Sequence, residues 1–358
     1  MPIKGDQKEN AVKIAILGSG FIKPDIFQRE VEQVMPQCDF STGLLDWPGT
    51  ARRADDEIQE YVGSFDAVID LAADADALIT DLAPVNQHIL DRLPQLKFIG
   101  VARGGPVNVN IAAATRHGIP VINAPGRNGP AVAEYTLALL LSLARRVATG
   151  TATLARGDWQ GDLYNYETTG LELMGHKAGL IGLGQVGKRV AELLQAFGMD
   201  VLVYDPFVDE ATVSALGARQ VDLESLLSQS DVVSLHARLT SETRGIIGRR
   251  ELDLMKPDAY LINTARGPLL DYEALEAVLV EGKLAGVALD VYNREPPDPA
   301  SALLQSPKVL AMPHVGGATR ESAIRGARIV AVDLRRVLVD HLAPLHCKNP
   351  EVLSGASS

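Results

Sequence analysis

The chain has 358 residues, 46% of them hydrophobic and 22% charged, which is the balance of a soluble globular protein long enough for two domains with cores of their own. Its net charge of −11 excludes general attraction to nucleic acid or anionic membrane, so an anionic ligand must be held by local cations. Only Cys38 and Cys347 occur, with no C-x-x-C and no Cys/His cluster, so neither a disulfide framework nor a metal site is suggested.

Met1 to Asn10 is polar and lacks an apolar signal core, which points to the cytoplasm. Val12 to Leu17 reads as a first strand, and Gly18-Ser19-Gly20 after it as a strand-to-helix turn rather than a cofactor loop, because a third glycine and a spaced acid are missing. The apolar runs Ala67 to Leu71, Phe98 to Val101 and Pro120 to Asn123 are predicted strands, separated by helical patterns such as Val85 to Leu93. Strands alternating with helices imply a parallel sheet. The loop Arg103-Gly104-Gly105-Pro106 follows a strand; it reads either as backbone N–H groups and a cation that hold a carboxylate, or as a glycine turn with a solvated arginine.

Asn128-Gly129-Pro130 opens a helix to about Val147 whose apolar residues surround it, so it is expected to be buried in a core or a subunit interface. The most apolar part, Ala131 to Ala144, contains Glu134 and is too short to span a bilayer. Thr149 to Leu173 is expected to be irregular, and a loop of that length is read as a dimer arm.

Ala178 to Gly182 is a predicted strand that runs into Gly182-Leu183-Gly184-Gln185-Val186-Gly187, a G-x-G-x-x-G turn. A helix over Lys188 to Phe197 follows, then a strand, Val201 to Tyr204, that ends in Asp205. This order is the dinucleotide-binding fingerprint: Gly182 for the turn, Gly184 for approach of a pyrophosphate, Gly187 for helix–strand packing, and Gln185 and Val186 at a helix start whose free N–H groups meet phosphate. Asp205 suits a ribose hydroxyl and would repel a 2′-phosphate, and no Arg or Lys stands in Pro206 to Glu210, so the cofactor is predicted to be NAD.

Further strands are predicted at Val232 to Leu235, Tyr260 to Asn263, Gly286 to Asp290 and Val309 to Met312, and a last helix at about Ala318 to Val339. Ligands of open parallel sheets bind outside the carboxyl ends of the strands. Those ends carry His236, Thr264-Ala265-Arg266-Gly267, Glu295 and His314-Val315-Gly316-Gly317. Hydride exchange with a 2-hydroxy acid needs an acid/base, which suits imidazole; a carboxylate to orient it; and a guanidinium for the substrate carboxylate. His314, Glu295 and Arg266 are the candidates for these roles, and His236 is given a cofactor-pocket or packing role.

On Gly182 to Gly187 with Asp205-Pro206, His236 with Leu239 to Thr243, Asn263 to Gly267, Asp290 to Pro296 and Pro313 to Gly317, the sequence resembles the D-isomer-specific 2-hydroxyacid dehydrogenase family from Val12 to Val352. The resemblance implies an α/β fold of two doubly wound parallel-sheet domains with a cleft between them. A flavodoxin-like substrate domain would comprise 1–124 with 319–358, and a Rossmann NAD-binding domain 125–318, including a dimerisation helix and arm at 130–173. It implies a homodimer, the Arg266, Glu295, His314 triad, Asp290 at the nicotinamide amide, and backbone of Arg103 to Gly105 at the substrate carboxylate. Thr264 and Gly316 fall in the motifs on the cofactor side. Arg238 stands where the family's motif has proline, the Arg103 loop departs from the commoner pattern, and the end soon after Val352 leaves no room for the regulatory domain of some phosphoglycerate dehydrogenases. Glu295 in place of glutamine disfavours formate as substrate. An NAD-sensing corepressor on the same fold and an inactive cofactor-binding scaffold are the competing expectations.

Overall fold

Short apolar segments alternating with helices build two parallel sheets, each in its own unit. The computed structural model describes residues 11–47 and 53–353. One unit is Met1–Asn128 with Ala318–Ser358, and the other Gly129–Gly317.

The first unit runs β1 (Val12–Gly18), α1 (Pro24–Glu32), β2 (Cys38–Leu44), α2 (Phe65–Ala72), β3 (Ala77–Thr80), α3 (Gln87–Leu90), β4 (Phe98–Val101), α4 (Ile111–Arg116) and β5 (Val121–Asn123). The sheet order is β2-β1-β3-β4-β5, with every pairing parallel. β3, β4 and β5 are buried along their whole lengths, as strands covered on both faces must be.

In the second unit α5 (Gly129–Ala144) and α6 (Val147–Ala155) precede β6 (Lys177–Ile181), α7 (Gln185–Ala196), β7 (Asp200–Tyr204), α8 (Glu210–Ala215), β8 (Arg219–Gln220), α9 (Leu223–Gln229) and β9 (Val232–Leu235). Then come α10 (Arg249–Leu254), β10 (Tyr260–Asn263), α11 (Tyr272–Val280), β11 (Gly286–Leu289), α12 (Ala302–Gln305) and β12 (Val309–Ala311). The order β12-β11-β10-β9-β6-β7-β8 is all parallel and reverses direction at β6 and β9. One face packs on α5, where Ala133, Leu137 and Leu140 meet Leu180, Ile262 and Ala288 in one core. No single described helix is long and apolar enough to cross a membrane.

The chain then returns to the first unit as α13 (Arg320–Leu338), which Thr319 caps through its side chain. Ala323, Ala327, Val330 and Leu334 of α13 bury a stripe against Ile14, Ile79, Phe98 and Ile122.

Three expectations need correction. Ala67 to Leu71 is helix, not strand: the Ser64 hydroxyl accepts from the Ala67 N–H, and Val68 and Ala72 turn inward at helical spacing. The β-branched pair Val68-Ile69 gives the false strand signal. The strand in that part of the sheet is β3, ten residues on from Ala67. Within the stretch expected to be irregular, α6 continues the helical path after Arg146 turns left-handed at φ 55°, and it buries no residue, so the sequence carries no amphipathic pattern to reveal it. Finally, β2 is absent from the predicted strands, because as an edge strand it is largely exposed and polar. Ser354 to Ser358, expected to be disordered, and Met1 to Asn10 lie outside the described residues.

Candidate active site

β6 delivers the chain into the glycine turn, and each glycine is there for a steric reason. Gly182 has φ +97°, and a Cβ on it would stand 2.6 Å from the Ala237 nitrogen. A Cβ on Gly187 would overlap the Gly182 carbonyl, so this residue lets α7 close on β6. Gly184, the N-cap of α7, has nothing within 4 Å of its Cβ position. The turn therefore leaves open space in front of a helix start, where the backbone N–H groups of Gln185 and Val186 have no carbonyl of their own helix to meet. This is a cradle that fits the pyrophosphate of a dinucleotide.

Asp205 follows β7 and is fixed by its own surroundings, Oδ2 accepting from the Leu183 N–H at 2.7 Å and Oδ1 from the Phe207 N–H at 2.9 Å. It thus ties the glycine turn to the end of β7, and each oxygen retains a lone pair for a ribose hydroxyl. His236, after β9, lies against the turn with its Nε2 2.9 Å from the Ser234 hydroxyl, while its buried Nδ1 has no partner among the described residues. Burial pushes the imidazole down to about 4, so it is neutral at physiological pH. Thr264 shares a 2.8 Å hydrogen bond with Thr136 of α5.

Three adjacent strands, β10, β11 and β12, end in the loops that carry Arg266, Glu295 and His314. His314 Nδ1 is 2.7 Å from Glu295 Oε2. A carboxylate only accepts, so Nδ1 carries the hydrogen and Nε2 is left free to exchange a proton. The other oxygen of Glu295 accepts from the Tyr292 N–H at 3.2 Å. His314 is held in the left-handed region, φ +54°, and the next two residues explain how: Asp290 Oδ1 accepts from the Val315 N–H at 2.9 Å and Oδ2 from the Gly316 N–H at 2.8 Å. Asp290, expected at the nicotinamide, therefore also grips the loop that presents the imidazole. Burial pushes its carboxyl up, opposed by those two hydrogen bonds.

Arg266 stands on the same edge and donates to the carbonyl of Ala265 at 2.6 Å, and the Asn263 amide braces its backbone by donating to the Arg266 carbonyl at 2.9 Å. The hydrogen bond that joins His314 to Glu295 has no counterpart linking Arg266 to His314 among the described residues. Gly316 lies beneath Tyr135, where an added Cβ would be 3.0 Å from the ring.

In the first unit Arg103 follows β4 and is paired with Glu60, through the carboxylate and, at 3.3 Å, through the backbone carbonyl. Its guanidinium is therefore engaged. Gly104 and Gly105 have nothing within 4 Å of their Cβ positions, which leaves their backbone approachable, and the Gly104 carbonyl accepts from Asn123 at 2.6 Å.

Several residues around the second unit's site are missing from the sequence-based candidates. Tyr292 donates to the Met312 carbonyl at 2.8 Å, tying the β11 loop to the end of β12, and Tyr272 donates to the Val291 carbonyl. Burial raises Tyr292 to about 12, so it stays a donor. Tyr135 has a buried hydroxyl with no partner among the described residues, beside Asp290. The tyrosines flanking Asp290 and Glu295 are the available signal; Tyr135, far away in sequence on a helix read as core, gives none.

Residues 137–316 match the family model described as D-isomer specific 2-hydroxyacid dehydrogenase, NAD binding domain. The chain is 40% identical over 250 residues to a D-3-phosphoglycerate dehydrogenase of Archaeoglobus fulgidus, covering 70% of this chain and 47% of that protein. It is 38% identical over 300 residues to a glyoxylate reductase of Thermofilum pendens, covering 83% of this chain and 88% of the relative. The chain thus spans about half the length of the phosphoglycerate dehydrogenases it matches. Among solved structures, the TT0316 protein from Thermus thermophilus superposes with a TM-score of 0.75 at 32% identity, over 93% of this chain and 99% of that one. The second unit is accordingly a Rossmann domain that binds NAD.

Proposed function

This chain belongs to the D-isomer specific 2-hydroxyacid dehydrogenase family, and from that membership we propose that it interconverts a 2-keto acid and its D-2-hydroxy acid with NAD(H) as the hydride carrier. The observation that carries the reading is the His314–Glu295 hydrogen bond of 2.7 Å on the sheet edge that also holds the glycine turn. NAD, when bound, supplies or takes the hydride at the substrate's C2. The N–H groups at Gly184 to Gly187 would hold its pyrophosphate, Asp205 its adenosine ribose, and His236, Thr264, Asp290 and Gly316 its nicotinamide side.

His314 Nε2 gives a proton to the carbonyl oxygen in reduction and takes it from the hydroxyl in oxidation. Glu295 holds Nδ1–H, which fixes the tautomer and the orientation of the ring. Arg266 holds the substrate carboxylate and polarises the neighbouring carbonyl. In the first unit, the backbone of Arg103, Gly104 and Gly105 offers N–H donors that suit a carboxylate, and nothing stands within 4 Å of the Cβ positions of Gly104 and Gly105. We also propose a homodimer, supported by the exposure of Trp159, Tyr164 and Tyr166 at 87, 97 and 89% in one stretch; sedimentation at micromolar concentration checks it.

The test is NADH oxidation, followed by absorbance, against glyoxylate, hydroxypyruvate, pyruvate and 3-phosphohydroxypyruvate, repeated with NADPH. Turnover of at least one acid with NADH and at least tenfold slower turnover with NADPH is expected. NADH binding without turnover of any acid would sink the enzymatic reading, and equal rates with NADPH would sink the role of Asp205.

A further inference from the structure

His314 and Glu295 meet at 2.7 Å, yet their side chains are 41 and 36% exposed, and a pair so open to water is held only weakly by its own attraction. Proton exchange at Nε2 needs the ring in one tautomer and one direction, so the order must come from the backbone that carries the pair. His314 follows β12 and Glu295 follows β11, and beyond the paired residues Leu289 and Ala311 the two strands are joined by the Met312 N–H, which donates to the Leu289 carbonyl at 2.8 Å. Pro313 comes next and has no N–H with which to continue.

Tyr292 takes over where the ladder stops. It is buried, and its hydroxyl donates to the Met312 carbonyl at 2.8 Å, with the Leu289 carbonyl 3.3 Å away. Both polar backbone groups of Met312 are thus fastened to the chain of β11, two residues before His314. Asp290 fastens the other side, through the N–H groups of Val315 and Gly316. The left-handed turn at His314 is therefore bracketed by two residues of one loop, and the same loop brings Glu295. Tyr292 reaches that carboxylate as well, its own N–H donating to Oε1 at 3.2 Å.

Tyr292 is braced in turn. The Tyr272 hydroxyl of α11 donates to the Val291 carbonyl, and the rings of Tyr272 and Tyr292 stand 6.4 Å apart at 49°. Gly267, the residue after Arg266, packs so closely that a Cβ on it would overlap the Tyr292 carbonyl. The backbone of Tyr292 is accordingly confined by the loop that carries the guanidinium.

We infer that Tyr292 is the positioning residue of the acid/base pair, its hydroxyl fixing the approach to His314 and its N–H the carboxylate of Glu295. This rests on the dehydrogenase reading above and deepens it. Tyr292 acts through the pair and exchanges no proton itself, since burial raises its hydroxyl to about 12.

Tyr292→Phe keeps the ring and removes the hydroxyl. The ring-nitrogen NMR shifts of His314 in its neutral form, assigned by their loss in His314→Asn, report the tautomer and need no turnover. Wild type is expected to hold the Nδ1–H form and Tyr292→Phe a mixture of the two. In turnover with NADH, kcat is expected to fall about tenfold in Tyr292→Phe, with the NADH dissociation constant within about twofold of wild type. In a Glu295→Ala background the same substitution should lower kcat by less than about twofold, because the pair it positions is already gone.

Ring shifts as in wild type overturn the positioning role, and so does a tenfold loss that persists undiminished in Glu295→Ala. The two layers of inference separate cleanly. Ring shifts that change in Tyr292→Phe, in a protein that turns over no 2-keto acid, would uphold the positioning of the pair and overturn the dehydrogenase reading; unchanged shifts in a protein that does turn over would do the reverse.

Discussion

Asp81 is buried and His236 half-buried with its Nδ1 out of solvent, and the loss of water moves the two groups in opposite directions. Asp81 is raised from the ordinary carboxylate range to about 6. The folded protein then holds the Asp81 proton more tightly than the unfolded chain, and stability falls as pH rises from about 4 to about 6, by on the order of 3 kcal/mol. His236 is lowered to about 4, so here the unfolded chain binds the proton more tightly. The stability it contributes is complete above about 6.5 and is lost as pH falls from there towards 4. Melting temperatures measured across pH 4–8 should accordingly show a gain for Asp81→Asn that is largest at pH 7–8, and a flatter acid limb for His236→Asn. Curves parallel to wild type in both would contradict the burial of these charges.

At the scale of elements, the glycine turn between β6 and α7 separates folding from binding within six residues. A Cβ at Gly187 meets backbone, whereas a Cβ at Gly184 meets nothing within 4 Å. Gly187→Ala should therefore lower the melting temperature, by roughly 1–3 kcal/mol of overpacking. Gly184→Ala should melt close to wild type and bind NADH at least tenfold more weakly by fluorescence titration, since the added methyl lies where the pyrophosphate approaches. Equal NADH affinity in Gly184→Ala and wild type would remove the phosphate from that position. This turn is legible in the sequence because all its parts are local, and so are Arg266, Glu295 and His314, each a few residues beyond an apolar strand. The buried cluster of Ser19, Asp81 and Arg127 is not, because its members come together only through the sheet order, and the strand signal ahead of Asp81 falls on the helix Ala67 to Leu71. The polar edge strand β2 escapes for a different reason: an element that buries little leaves little periodicity to read.

At the scale of the whole molecule, the chain leaves the first unit after β5, builds the second, and returns to finish the first. The return is anchored beyond α13. His346 and Lys348 exchange backbone hydrogen bonds with Asn123 and Val121 along the open edge of β5, and the buried Asp333 accepts from the N–H groups of Leu345 at 2.7 Å and His346 at 3.0 Å. Asn349, fully buried, accepts from Val121 N–H at 2.8 Å and donates to the Ile119 carbonyl at 2.9 Å and the Thr115 hydroxyl at 3.1 Å. Asn349→Ala should cost about 2–3 kcal/mol, because it leaves buried groups unmatched, and should speed amide exchange at Val121 and Asn123; protection as in wild type would show that the segment does not hold this edge. The second unit, by contrast, gathers its proposed chemistry on one edge of one sheet, where three neighbouring loops present Arg266, Glu295 and His314. The most direct test of that assignment is the kcat of His314→Asn with saturating NADH and the best 2-keto acid, measured beside its NADH dissociation constant. A fall of about 10²–10⁴-fold in kcat with NADH affinity within about twofold of wild type is predicted; a kcat near the wild-type value would contradict it.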